Sequence, residues 1–128
     1  MQTLVADLMA TDVAAVCADV PARTIAEVLG ARGVSAVPVV DRENRVVGIV
    51  SEADIIRHRY SNGTAAQIMS SPAITVHTDQ PAEIAAELTD RFGIKRLPVV
   101  DDFGRLVGII SRGDLVHLYA RHGTFQVA

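Results

Sequence analysis

Two serine–aspartate pairs are the residues whose types and spacing could do chemistry. Ser51 precedes Asp54, and Ser111 precedes Asp114, each within the sequence Gly-Ile-(Val/Ile)-Ser-x-x-Asp. An apolar run before each serine predicts a strand and the residues after it predict a helix, so backbone N–H groups and the helix dipole favour an anion there. The hydroxyl can bond a phosphate or sugar oxygen, and the carboxylate can accept hydrogen bonds from vicinal ribose hydroxyls. The alternative is a helix cap, which the motif alone favours over a ligand site.

A proline inside an apolar strand is the second unusual feature, and it occurs at Pro38 and Pro98. Because proline cannot donate to a strand ladder, we expect each to lie where the strand has no neighbour, for instance facing a cleft. Residues 35–37 and 95–97 would then line that cleft with small, apolar or cationic groups. A proline that merely begins a strand explains the pattern equally well.

A catalytic interpretation has less support. Ser51, Asp54 and His58 would lie in a row about 10 Å long on one helix, whereas a triad needs its base within hydrogen-bond reach of the nucleophile. The second copy of the motif has Leu118 in place of the histidine. We therefore expect no catalytic residue.

Histidine and cysteine positions predict neither a metal site nor a disulfide. The closest histidines, His117 and His122, are separated by five positions, which is not the spacing of a helical zinc pair. The single cysteine, Cys17, excludes an internal disulfide. Its apolar surroundings predict a buried, unreactive thiol, and the sparse use of cysteine favours a reducing, cytoplasmic compartment.

The two motifs belong to an internal repeat. Residues 34–54 align without a gap with residues 94–114, at an offset of 60 positions. We expect one repeat over residues 1–60, a second over residues 64–122 and a tail over residues 123–128, with Ser-Asn-Gly at 61–63 as the hinge. Because sixty residues bury too little surface to be stable alone, the halves are expected to pack together with approximate twofold symmetry.

The first half of each repeat predicts a short helix, a brief strand and a longer helix. In repeat 1 the short helix ends near Met9 and the strand covers residues 13–16. Asp19 is expected to begin the longer helix, with a proline in its first turn, and Gly33 to end it in a left-handed cap. The same residue types recur sixty positions later in repeat 2.

The second half of each repeat predicts a hairpin and a last helix. Two Val/Ile-rich strands over residues 37–40 and 46–50 are joined by a tight turn, in which Asn44 and its counterpart Gly104 are suited to positive φ. Ser51 is expected to begin the last helix. Unbroken apolar runs indicate strands buried on both faces, so the fold class is mixed α/β.

Composition excludes two kinds of partner. The chain has 128 residues, 49% of them hydrophobic, and a formal net charge of −3. No apolar run reaches the roughly 18 residues of a membrane helix, and no signal peptide is expected. A slightly acidic chain without tryptophan and with few other aromatic residues is not expected to bind nucleic acid.

Taken together, the repeated sequences resemble a tandem pair of CBS domains, a Bateman module, from residue 3 to about residue 120. The segments that carry the resemblance are Asp-Leu-Met, Gly-Val-Ser-Ala-Val-Pro-Val-Val-Asp and Val-Gly-Ile-Val-Ser-x-x-Asp. The resemblance implies two βαββα repeats packed sheet to sheet with pseudo-twofold symmetry. It also implies that two copies of the chain associate into a flat, disc-shaped dimer.

The resemblance also implies a regulatory, non-catalytic module that binds an adenosine-containing ligand between its repeats. AMP, ADP, ATP and S-adenosylmethionine are the expected ligands, with no required cofactor. The regulatory change would be passed to an effector protein, to the chain's own dimer or to the rest of a longer protein. A ligand-free dimerisation scaffold or protein-interaction module is the alternative.

By the same resemblance, the ribose-binding acid matches Asp54 and Asp114, and the hydroxyl matches Ser51 and Ser111. The strand of one repeat is expected to face the Ser-x-x-Asp of the other. One cleft is then expected to combine Ser51 and Asp54 with Lys95, Arg96 and Pro98. The other is expected to combine Ser111, Arg112 and Asp114 with Ser35, Ala36 and Pro38.

The first of these clefts is expected to be the better nucleotide site. Lys95 and Arg96 can bind phosphate, and a guanidinium can engage two oxygens at once. The second cleft offers only Arg112 as a nearby cation. We therefore expect the second cleft to be weak or empty.

Overall fold

The structure, a computed structural model, describes residues 2–125 and divides into two compact units. One unit is Ala14–Ala73, and the other combines Met1–Val13 with Ile74–Ala128. Each contains a three-stranded sheet with helices, so the mixed α/β prediction is confirmed. The boundaries of the units differ from those of the expected repeats, 1–60 and 64–122. The short helix that begins each repeat belongs to the unit that contains the sheet of the other repeat. Residues 126–128 of the expected tail lie outside the described residues, as does residue 1.

The Ala14–Ala73 unit is built around a sheet of three strands in the order β1 (Val16–Cys17), β2 (Ala36–Val40) and β3 (Val46–Ser51). The first pair of strands is parallel and the second is antiparallel. Its core contains aliphatic side chains from the sheet and helices, including Ile25, Val37, Val50 and Ile68. The elements are β1 (Val16–Cys17), α2 (Ala22–Arg32), β2 (Ala36–Val40), β3 (Val46–Ser51), α3 (Glu52–Arg57) and α4 (Ala65–Ile68).

The second unit repeats this sheet in the order β4 (Val76–His77), β5 (Arg96–Val100) and β6 (Leu106–Ser111), again with one parallel and one antiparallel pair. Its core includes Val5, Leu97, Ile110 and Leu118. Within residues 2–125, no helix is both long and apolar enough to cross a bilayer. The elements are α1 (Val5–Leu8), β4 (Val76–His77), α5 (Ala82–Phe92), β5 (Arg96–Val100), β6 (Leu106–Ser111) and α6 (Arg112–His122).

The longer helix of each repeat begins later than expected. Helix α2 starts at Ala22 with Pro21 as its N-cap, so the prediction of a start at Asp19 is wrong. The backbone N–H of Val20 donates to the carbonyl of Cys17, which places the aspartate in a turn before the helix. Helix α5 has the same start, with its N-cap at Pro81.

The left-handed positions predicted from the sequence are confirmed. Gly33 and Gly93 end α2 and α5 at φ values of 64° and 62°. In the hairpin turns, Asn44 and Gly104 have φ values of 64° and 78°. Two different residue types therefore meet the same backbone requirement in the two copies.

An aspartate at the start of each hairpin turn orders that turn. Asp41 Oδ1 accepts the backbone N–H of Arg45 at 2.9 Å, and its Oδ2 accepts Nε of the same arginine at 2.9 Å. The hydrogen bond from the Arg45 backbone is the main reason that the pKa of Asp41 lies below its ordinary value. At Asp101, partial burial raises the pKa, but the hydrogen bonds from Arg105 and Phe103, together with the charge of Arg105, outweigh it and the net direction is downward.

The two strand prolines lie in central strands, at positions where no backbone donor is needed. Pro38 is opposite Ile49 of β3, whose N–H and C=O both bond to Ser70 on the far side. The pair is therefore not hydrogen-bonded across β2 and β3, and the proline nitrogen points away from β3. On that other side, β1 pairs only from Val39 onward. The nitrogen of Pro38 therefore faces no paired strand residue, as the sequence predicted. The same arrangement recurs at Pro98.

Two strand glycines allow a neighbouring segment to lie against the edge of each sheet. A methyl group on Gly48 would lie 2.9 Å from Cγ of Met69 and 3.0 Å from the carbonyl oxygen of Ser70. A methyl group on Gly108 would lie 2.9 Å from the carbonyl oxygen of Ala10. The methionine that ends each short helix therefore needs a glycine beneath it.

Cys17 is exposed, so the prediction of a buried thiol is wrong. It follows Val16 in the two-residue strand β1, and successive side chains of a strand point to opposite faces. The valine takes the buried face, which leaves the cysteine on the outer one.

Candidate ligand-binding site

Both Ser-x-x-Asp sequences form capping boxes at the start of the last helix of a repeat. Ser51 Oγ accepts the N–H of Asp54 at 3.2 Å, and Asp54 Oδ2 accepts the N–H of Ser51 at 2.9 Å. The corresponding distances between Ser111 and Asp114 are 3.1 and 2.8 Å. The capping interpretation is thus correct for the local geometry, and the cap fixes the direction of each carboxylate.

The carboxylate of Asp54 has further partners. It is nearly buried, at 3% relative exposure. Oδ2 accepts the hydroxyl of Ser51 at 3.0 Å, and Oδ1 accepts both Arg57 Nη1 at 3.0 Å and Ser70 Oγ at 3.2 Å. The arginine side chain is 64% exposed, so its ion pair is screened by solvent. Four donors converge on this carboxylate.

The carboxylate of Asp114 has a different environment. It is half-buried, and Oδ2 accepts the N–H of Ser111. No other group within residues 2–125 donates to it. The positions equivalent to Arg57 and Ser70, sixty residues away, are occupied by His117 and Ala10. The two acids are therefore alike in the cap and differ in their burial and in their other hydrogen-bond partners.

In the Ala14–Ala73 unit, the start of β2 adjoins the first serine–aspartate pair. Ala36 pairs with Ser51 in the sheet, and the N–H of Glu52 donates to the carbonyl of Ser35 at 2.9 Å. Ser35 and Ala36 are half-buried and Pro38 is buried. The structure thus brings these predicted site residues together within one unit.

The second unit repeats this arrangement with cationic residues. Arg96 pairs with Ser111, and the N–H of Arg112 donates to the carbonyl of Lys95 at 2.9 Å. Lys95 is exposed, Arg96 is half-buried and Pro98 is buried. The combination of these strand residues with the serine–aspartate pair of the other repeat stays a prediction.

The Arg112 side chain also borders a separate space. A cavity of about 390 Å³ lies between α5 and α6, and Arg112 lines it together with Thr89, Asp90, Leu115 and Phe125. The cavity is open to solvent and is lined by neither Ser111 nor Asp114 in the described part of the chain.

The three residues of the catalytic alternative lie along α3. His58 is the C-cap of α3 and donates its backbone N–H to the carbonyl of Asp54 at 3.1 Å. The groups that bond to the Asp54 carboxylate come from Ser51, Arg57 and Ser70. The part of the chain that the structure describes contains no cluster of three or more His, Cys, Asp or Glu side chains that could hold a metal ion.

Comparison with known proteins assigns the family. The model of the CBS domain family matches residues 5–61 and again residues 65–121. The chain belongs to the CBS domain family. It is a tandem pair of CBS domains, as the repeated sequences predicted, and the mixed α/β architecture agrees with solved CBS pairs.

Two curated relatives are longer proteins that match this chain over part of their length. An L-aspartate semialdehyde sulfurtransferase of Methanocaldococcus jannaschii is 30% identical over 91% of this chain but only 23% of its own length. A homoserine O-acetyltransferase of Methanosphaerula palustris is 34% identical over 93% of this chain and 24% of its own length. The chain therefore spans about a quarter of these relatives.

Three solved structures that are similar to this chain contain adenosine compounds. The CBS domain pair of protein MJ0100, in complex with 5′-methylthioadenosine and S-adenosyl-L-methionine, has a TM-score of 0.86 and 30% identity, covering 94% of this chain and 98% of that one. CBSX2 in complex with AMP has a TM-score of 0.86 and 26% identity, with 94% and 98% covered. The cytosolic domain of the Mg²⁺ channel MgtE in complex with ATP has a TM-score of 0.79 and 29% identity, with 90% and 48% covered.

Sequence reasoning missed Arg57 and Ser70 as partners of Asp54. Ser70 is sixteen residues away, in a segment that the sequence assigned only to the approach to a strand. A comparison of the two repeats contains the signal, since Ser70 aligns with Ala10 while the neighbouring Met69 and Met9 are identical.

Proposed function

We propose that this CBS pair is a regulatory, non-catalytic module that binds an adenosine-containing ligand such as AMP, ADP, ATP or S-adenosylmethionine. One observation carries the proposal: the chain matches, over nearly its whole length, a CBS pair in complex with two adenosine compounds. Both repeats of this chain also keep the Ser-x-x-Asp motif, with each carboxylate held in a capping box. A carboxylate so fixed is a suitable acceptor for a pair of adjacent hydroxyls.

The proposed site residues have distinct roles. Asp54 and Asp114 accept the ribose hydroxyls, and Ser51 and Ser111 supply hydroxyls beside them. Cationic side chains bind the phosphates, and small or apolar residues of the strands contact the adenine. The cations are Lys95, Arg96 and Arg112, and the strand residues are Ser35, Ala36, Pro38 and Pro98.

Regulation then follows from differential binding. A ligand shifts the arrangement of the protein only by as much as it prefers one arrangement over another. The shift is passed to an effector protein or to a second copy of the chain. Because the matched relatives carry a CBS pair within longer proteins, an effector domain in the same polypeptide is equally suitable.

Thermal unfolding tests the ligand class directly. A ligand that binds only the folded state, at about 100 times its dissociation constant, stabilises the protein by about 2.7 kcal/mol. AMP, ADP, ATP and S-adenosylmethionine are assayed beside 2′-deoxy-AMP, which lacks one of the two hydroxyls. We expect stabilisation by at least one ribonucleoside compound and binding at least tenfold weaker for the deoxy compound. The proposal fails if no adenosine compound changes the melt and no adenine is recovered from the denatured protein.

Substitution of the acids tests the site. Asp54→Ala and Asp114→Ala are expected to weaken ligand binding, because each removes a proposed ribose acceptor. Asp102→Ala, which removes an exposed carboxylate in a hairpin turn, is the matched control and is expected to bind as the unaltered protein does. Loss of affinity in the control alone, or in none of the three, would contradict the assignment.

A second copy of the chain is proposed as a partner because large apolar side chains are exposed on the last helices. Ile56 and Val116 are 62% and 63% exposed, and Tyr119 is 53% exposed. Analytical ultracentrifugation is expected to show a dimer that Val116→Glu weakens. If the protein dimerises but binds no adenosine compound, the scaffold alternative takes the place of the ligand-binding function.

A further inference from the structure

The two carboxylates that are proposed to accept ribose hydroxyls differ in how much accepting capacity they have left. An ionised carboxylate has about four lone-pair sites. At Asp54, four hydrogen bonds reach the carboxylate: two from Ser51, one from Arg57 and one from Ser70. At Asp114, one bond from Ser111 is made within the described residues. A diol can therefore bond to Asp114 directly, whereas at Asp54 it has to replace a donor that is already there.

The donors on Oδ1 of Asp54 are the ones that a ligand can replace. The two bonds from Ser51 belong to the cap of α3, and breaking them would disturb the helix start. Arg57 and Ser70 are both exposed residues, so water can satisfy their donor groups after displacement. The Ser70 bond, at 3.2 Å, is the longest of the four, and the arginine ion pair is open to solvent.

We propose that Arg57 and Ser70 compete with the ligand for Oδ1 of Asp54. They thereby lower the affinity of this acid for a ribose diol, relative to that of Asp114. This inference rests on the proposed function. It opposes the ranking expected from the sequence, in which the cations Lys95 and Arg96 make the Asp54 site the better one. The second repeat has Ala10 and His117 at the two equivalent positions, and neither bonds to Asp114 in the described structure.

The test uses Asp114→Ala as a background, so that AMP binding reports on Asp54. In that background, Ser70→Ala and Arg57→Ala are each expected to raise the affinity for AMP, by about fivefold for the hydroxyl and by about twofold or less for the exposed ion pair. The double substitution is expected to give a gain of roughly tenfold. Ser70→Ala is the decisive variant, because it changes no charge.

Arg59→Ala is the matched control for the loss of a positive charge near an anionic ligand. Arg59 is exposed, donates to the carbonyl of Ile56 at 2.9 Å and lies over the ring of Tyr60. It is not expected to raise the affinity for AMP. A gain with Arg59→Ala equal to that with Arg57→Ala would show that charge, and not competition for Asp54, changes the affinity.

The reverse experiment installs the competing donors in the other repeat. In the Asp54→Ala background, the pair Ala10→Ser and His117→Arg is expected to lower the affinity of the Asp114 site for AMP.

Urea unfolding adds a readout that separates competition from structural support. Ser70→Ala is expected to reduce stability while it raises affinity, whereas a supporting residue would reduce both.

The failure of this inference is distinguishable from that of the proposed function. If the unaltered protein binds AMP but Ser70→Ala leaves the affinity of the Asp54 site unchanged or lowers it, the competition is refuted and the ligand-binding function stands. If the Asp114→Ala protein binds no AMP, appearance of binding in the double variant supports the competition, and its continued absence refutes it. If the unaltered protein binds no adenosine compound at all, both proposals fall.

Discussion

Removal of the Asp54 carboxylate should destabilise the folded chain more than removal of the Asp114 carboxylate. Both substitutions to alanine break a capping box, which costs about 1 kcal/mol in each case. At Asp54 the hydroxyl of Ser70 also loses its acceptor, and a typical net contribution of such a bond is about 1 kcal/mol. The Arg57 pair adds under about 0.5 kcal/mol, because its side chain is 64% exposed and the interaction is screened.

We therefore expect Asp54→Ala to cost about 2 to 3 kcal/mol and Asp114→Ala about 1 kcal/mol. Urea unfolding followed by far-UV circular dichroism measures the difference. With a slope of about 2 kcal/mol per molar urea, the two midpoints should lie about 0.7 M apart. In a double-mutant cycle, the coupling of Asp54 with Ser70 should exceed that with Arg57.

Equal losses for the two aspartates, or a larger loss for Asp114→Ala, would refute this reasoning. The same result would show that the network around Asp54 adds nothing to its cap. A coupling energy near zero between Asp54 and Ser70 would refute the role of that hydrogen bond in particular.

Three further predictions address the sheet edge, the hairpin turn and the phosphate contact. Gly48→Ala should cost about 1 to 3 kcal/mol of stability, because the added methyl group overpacks against the side chain of Met69. Gly30→Ala should stabilise α2 by about 0.5 to 1 kcal/mol, because an added methyl group there meets nothing within 4 Å. Thermal unfolding measures both changes, and a change of the same sign in the two variants would contradict this reasoning. Asp41 has a lowered pKa in the folded state, so its contribution to stability is present above the ordinary value of 3.8 and is lost as the pH falls through the folded value. Asp41→Asn should therefore make the acid limb of stability shallower, as urea midpoints at a series of acidic pH values will show, and an unchanged limb would argue against the Arg45 hydrogen bonds. Arg96→Ala should weaken the binding of ATP more than that of adenosine in calorimetric titrations, and an equal loss for both would remove its role as a phosphate partner.

The sequence predicted the repeated elements well because each has a local cause. Gly33 and Asn44 belong to the residue types that most readily adopt positive φ, so the helix end and the hairpin turn could be placed to the residue. The start of α2 was misplaced because a turn before the helix and a first helical turn both favour aspartate. Cys17 was misjudged because a two-residue strand has too few positions to reveal its alternation.

The candidate site was predictable only in part. Ser51 and Asp54 are three residues apart, and their cap follows from that spacing alone. The bond from Ser70 depends on a segment that returns to the edge of β3, where Ile49 and Ser70 exchange backbone hydrogen bonds. No local pattern encodes such a contact, because it depends on these long-range hydrogen bonds and on the packing of the segment against Gly48.

Equilibrium dialysis with radiolabelled AMP tests ribose binding by these carboxylates most directly. It compares the unaltered protein with the double variant Asp54→Ala, Asp114→Ala. The account predicts saturable binding to the unaltered protein and its loss in a double variant whose circular dichroism spectrum remains that of a folded protein. Saturable binding of the same affinity in both proteins, or none in the unaltered one, would contradict it.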